Sequence, residues 1–99
     1  MRYNPDDYPH PGESLLLELE EIGLSQKAFA HYIHENADLI GEICTGKAPM
    51  TPLIAIKISR ALGGPPRKWL ELQTNHDLAR VDERDYSHIR QLGSDPEED

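Results

Sequence analysis

The sequence predicts an all-α fold, a compact five-helix bundle, and three observations carry that reading. Its 99 residues suffice for one hydrophobic core and no second. Of the hydrophobic 37%, only six residues are Phe, Trp or Tyr, so Leu, Ile and Ala, which helices carry well, must fill the interior. Apolar residues recur at helical period between capping residues, and no segment alternates at the two-residue period of a strand.

Residues 1–10, with Pro5 and Pro9, read as a flexible leader without a periodic apolar face. A first helix opens at Pro11, with Glu13 in its first turn, and places Leu15, Leu16, Leu19 and Ile22 on one face before Gly23 stops it. Ser25 caps a short second helix with Phe29, Ala30 and Ile33 inward. After a tight turn Asn36 caps a third, from Ala37 to about Thr45, whose inner face is Ile40, Ile43 and Cys44 and whose stop is Gly46. Thr51-Pro52 starts a fourth helix with the stripe Ile54, Ala55, Ile58, Ala61 and Leu62, closed by Gly63-Gly64. Pro65-Pro66 opens a fifth, in which Trp69, Leu70, Leu72 and Leu78 supply the remaining core. Beyond Asp82 the apolar residues Tyr86, Ile89 and Leu92 are too sparse to choose between a last helical turn and an extended arm. The folded domain therefore spans 11–92, and 93–99 is expected to be a disordered acidic tail.

Composition excludes several classes. Cys44 is the only cysteine, so neither an internal disulfide nor a thiolate metal cluster can form, as suits a cytoplasmic protein. No apolar run has the length of a signal peptide core or a membrane span. The net charge of −8 is the wrong sign for a typical nucleic-acid binder, although four acidic residues lie in the last five positions. No paired acid and base and no activated nucleophile is present, so the chain is not expected to be an enzyme or to need a cofactor.

A short capped helix, a tight turn, a second short helix ending in Gly-Lys and a longer amphipathic helix form the layout of a Cro/repressor-type helix-turn-helix. In that layout the helix from Ala37 turns its outer face to the major groove. Bundles that bind no DNA contain similar hairpins, so the pattern alone leaves a structural hairpin equally open.

The motifs His10-Pro11-Gly12-Glu13, Leu24-Ser25-Gln26, Thr45-Gly46-Lys47, Met50-Thr51-Pro52, Ala61-Leu62-Gly63, Trp69-Leu70-Glu71-Leu72-Gln73 and Asp77-Leu78, in this order and spacing, resemble the HigA-type antitoxins, also called plasmid-maintenance antidote proteins. The resemblance implies an antitoxin that neutralises a small ribonuclease toxin of the HigB kind and represses its own operon as a DNA-binding homodimer. A toxin binder with weak or lost DNA affinity, or a stand-alone regulator, is the alternative. It further implies base-facing positions at Asn36, Ala37, Asp38 and Glu42 and phosphate-facing positions at Ser25, Gln26, Thr45 and Lys47. The chain departs from the family there: Asp38 and Glu42 are carboxylates, and His34-Glu35-Asn36 replaces a Gly-Val-Ser type of turn, adding a third carboxylate near the groove. His76 stands where tyrosine is common.

Rival readings of single residues are weaker. His31, His34 and Glu35 have the spacing of metal ligands but read better as exposed side chains at a helix end. Cys44 lies on an apolar face and reads as a small buried hydrophobe rather than a nucleophile. Trp69 reads as core, with a dimer seam compatible, and Glu18, Glu20 and Glu21 as a solvated edge that would also suit a basic partner.

Overall fold

A computed structural model describes residues 4–93, and the far ends, including Ser94–Asp99 of the expected tail, lie outside the described residues. Five α-helices follow in order: α1 (Pro11–Ile22), α2 (Gln26–Tyr32), α3 (Ala37–Cys44), α4 (Pro52–Leu62) and α5 (Pro66–Ala79). Short 3-10 turns stand at Pro5–Asp7 and Glu83–Tyr86, and no strand occurs among the described residues.

The helices begin where local chemistry dictates. Ser25 Oγ accepts from Ala28 N, Asn36 Oδ1 from Asp38 N and Leu39 N, and Thr51 Oγ1 from Ile54 N, each satisfying amide donors that have no partner inside the helix. Three helices end in the same hydrogen-bonded reversal, in which a residue with positive φ lets two amides turn back onto helix carbonyls. At α1 Gly23 (φ 71) and Leu24 bond Glu20 O and Leu19 O; at α3 Gly46 (φ 81) and Lys47 bond Ile43 O and Glu42 O. At α2 the same place is held by His34 (φ 58), which with Glu35 bonds His31 O and Ala30 O.

One core joins all five helices: Leu15 and Leu19 of α1, Phe29, Ala30 and the adjoining Ile33, Ile40, Ile43 and Cys44 of α3, Ile54, Ala55 and Ile58 of α4, and Trp69 of α5, with Met50 from the α3–α4 loop. Fully burying each Leu or Ile contributes about 1.5–3 kcal/mol. Two expectations are corrected. Ile22 and Leu78 are 57% and 42% exposed instead of core, because each lies in the last turn of its helix, beyond the neighbours that would cover it. Leu70 and Leu72 pack only partly against the core.

The end of the leader is tied to the bundle. Tyr8 O accepts from Arg80 Nη1 at 3.3 Å and lies 3.1 Å from His76 Nδ1, both on or beside α5. Past α5 the chain runs through Val81, Tyr86, Ile89 and Leu92, all exposed.

Candidate nucleic-acid interface

The α3 helix divides cleanly into two faces. Ile40 and Ile43 are completely buried, whereas Asn36, Ala37, Asp38 and Glu42 are exposed. The outward edge of α3 is thus held rigidly from behind. Of the flanking positions Ser25, Thr45 and Lys47 are exposed and Gln26 is half-buried. Gln26 belongs to the same surface: a Cβ added to Gly41 would stand 3.5 Å from Gln26 Oε1, so the start of α2 abuts the middle of α3.

Several of these side chains also build the helices they sit on. Asn36 spends its Oδ1 on the α3 cap, leaving its amide NH2 outward, and Ser25 Oγ caps α2. The Thr45 hydroxyl turns back to Gly41 O (3.0 Å) and Glu42 O (3.2 Å). Asp38 and Glu42 form no ion pair among the described residues.

Glu35, the third carboxylate of this region, is paired within the bundle. Lys57 of α4 donates to Glu35 Oε2 at 2.7 Å and to His34 O at 3.2 Å, clamping the α2–α3 turn onto α4. That hydrogen bond from Lys57 outweighs burial and holds the Glu35 carboxyl below its ordinary pKa. Sequence reasoning missed Lys57, whose partners lie 22 and 23 positions away. It singled out Gln73 in a motif but not its contacts: Oε1 accepts from Met50 N at 2.7 Å while Nε2 donates to Asp77, fixing the loop behind α3 to α5. No group of three metal-binding side chains occurs among the described residues; His31 and His34 are simply exposed. Burial raises the Cys44 thiol pKa, as expected of an inert core cysteine.

No family model matches the chain. The uncharacterized HTH-type transcriptional regulator YddM of Escherichia coli K12 is 34% identical over 87 residues, covering 87% of this chain and 93% of that protein. Antitoxin HigA-1 of Vibrio cholerae serotype O1 is 35% identical over 68 residues, 68% of this chain and 64% of that one. Antitoxin HigA of Pseudomonas aeruginosa, solved with the higBA promoter, superposes with a TM-score of 0.79 at 25% identity over 86% of this chain and 97% of that one. The chain belongs to the HigA family of helix-turn-helix proteins.

That family is one of antitoxins and regulators, not of enzymes. Its marks in this chain are joints of the fold. In His10-Pro11-Gly12-Glu13, His10 is buried and caps α1, Pro11 starts the helix, and a Cβ on Gly12 would run into the Ile43 carbonyl of α3. In Trp69 to Gln73, Trp69 fills the core and Gln73 holds the loop that precedes α4. The HigA motifs therefore lock α1 and α5 against the C-terminal end of α3 and the loop that follows it.

Proposed function

We propose that this chain is the antitoxin of a toxin–antitoxin pair: it binds and neutralises a small ribonuclease of the HigB kind in the cytoplasm, and as a homodimer it binds the operator of its own operon. The observation that carries this reading is its fit, over 86% of its length, to a HigA antitoxin solved with its promoter. In this reading Asn36, Ala37, Asp38 and Glu42 face bases, while Ser25, Gln26, Thr45 and Lys47 face phosphates. Two copies meet a palindromic site one helical turn apart, about 34 Å. Support for a dimer seam along α5 and the segment after it comes from exposed Val81, Tyr86, Ile89 and Leu92 and from a groove of about 500 Å³ lined by Pro52, Ile56, Pro66 and Leu70.

One observation favours the second reading, an antitoxin with weak DNA affinity of its own. Two carboxylates, Asp38 and Glu42, stand on the outer face of α3. Of the lysines that could offset them, Lys68 is held elsewhere, by Glu18 at 3.3 Å and over the face of Trp69. A salt-titrated shift of the DNA upstream of its own gene separates the two. Nanomolar binding near physiological salt supports the repressor, and micromolar binding supports the toxin binder. A monomer by light scattering at micromolar concentration overturns the dimer.

A further inference from the structure

His10 occupies the point where α1, α5 and the segment following α3 meet. Its Nδ1 accepts from Gly12 N at 2.9 Å, so the ring serves as the N-cap of α1. The Ala48 backbone lies near enough to act on the ring electrostatically, and a Cβ on Gly46 would be 3.8 Å from the ring. Against it, edge to face, stands His76 with ring centroids 5.0 Å apart, itself at hydrogen-bond distance from Tyr8 O. Only one neutral tautomer fits: Nδ1 bare toward Gly12 N–H, and the proton on Nε2. Gly46 and Ala48, beside His10, flank Lys47, a phosphate-facing position in the repressor reading.

We propose that neutral His10 is a positioning residue for the DNA-facing surface, and that protonating it releases the segment carrying Lys47 and so couples operator binding to pH. A proton on Nδ1 would set N–H against N–H at the positive end of α1, losing the cap and adding charge where the helix dipole opposes it. Three ionisable side chains surround the ring. Desolvation and the His76 charge hold its pKa below the ordinary value, while Asp77, the Ala48 backbone and Glu13 act the other way without reversing the result. A lowered folded pKa means that the unfolded chain takes the proton first. The stability His10 contributes is therefore complete above the ordinary value of 6.5 and is lost as pH falls below it through the folded value. The sign is diagnostic, because acidification otherwise adds positive charge and would tighten DNA binding.

The DNA part rests on the repressor reading, so the test measures the protein with and without DNA. Between pH 7.5 and 5.5 the wild-type Tm should fall by about 5 °C, amide exchange across residues 45–48 should accelerate, and affinity for the upstream DNA should drop about twofold, because a group with a lowered pKa is only partly protonated at pH 5.5. His10→Asn, which keeps a cap acceptor that does not titrate, should flatten all three profiles. Should that variant not fold, NMR titration of the wild type decides, with the His10 ring titrating in step with the loss of protection at 45–48. Identical pH profiles for wild type and His10→Asn, protection at 45–48 that ignores the His10 titration, or wild-type DNA binding that tightens in acid would each overturn the proposal. Absence of DNA binding at every pH would sink the repressor reading, and the exchange and Tm profiles would still decide the role of His10.

Discussion

At the scale of single residues, the α2–α3 turn carries a backbone cost that its neighbours avoid. His34 adopts φ 58 where α1 and α3 use glycine. A left-handed conformation costs a residue with a Cβ about 1–2 kcal/mol, and glycine's extra chain entropy returns about 0.5–1 kcal/mol of that. His34→Gly should therefore raise stability by up to about 1 kcal/mol in urea unfolding, and a clear loss would show that the imidazole makes a compensating contact. Lys57→Met should act in the other direction, removing a partly buried ion pair and the donor to His34 O. The expected loss is about 1 kcal/mol at neutral pH. Because the Glu35 carboxyl is held below its ordinary pKa, this difference should persist above the usual carboxylate range and vanish as pH falls through the lowered value. A wild-type to variant gap that stays constant into strong acid would refute the clamp. Asp38 and Glu42 pose a question about bases: a carboxylate either accepts from cytosine N4 or repels phosphate. At about three phosphate contacts per subunit, the salt slope of a dimer should be no steeper than about −5. Glu42→Gln should tighten binding generally with little change in that slope. Loss of nanomolar operator binding in both Glu42→Gln and Asp38→Asn would instead show that the acidic pair reads bases.

At the scale of elements, two glycines should respond with opposite signs. Gly12→Ala drives a Cβ into the Ile43 carbonyl, which cannot retreat without moving α3, so a loss of about 3 kcal/mol is expected by thermal unfolding. Gly41→Ala meets only Gln26 Oε1 at an ordinary 3.5 Å and gains helix propensity, so stability should rise by up to about 1 kcal/mol. Equal effects would contradict the tight α1–α3 contact. The starts of α1 to α5 were legible because Pro11, Ser25, Asn36, Thr51-Pro52 and Pro65-Pro66 each act on the backbone within a few residues. The buried faces were legible for the same local reason, and the misreadings of Ile22 and Leu78 arise where periodicity continues but the neighbouring helix does not. What sequence could not reveal is long-range: Lys57 on Glu35, Gln73 on Met50, and His10 beside Ala48 and His76 join positions that only the packed bundle brings together.

At the scale of the whole molecule, the bundle presents an acidic molecule with one rigid outward helix and an apolar segment past α5 that its own core does not use. Among the described residues no helix is long and apolar enough to cross a membrane. The negative charge of −8, which weighs against phosphate binding, suits a basic ribonuclease, and Glu20 and Glu21 stay exposed on α1 while Glu18 turns to Lys68. Charge at the scale of the whole molecule thus supports the toxin-binding half of the proposed function. Its most direct measurement is neutralisation: the product of the neighbouring reading frame is expressed with and without the chain, growth is followed, and the mixture is resolved by gel filtration. Restored growth together with a stoichiometric complex is the predicted result. Continued growth arrest, with the two proteins eluting separately from a stoichiometric mixture, would contradict the antitoxin assignment.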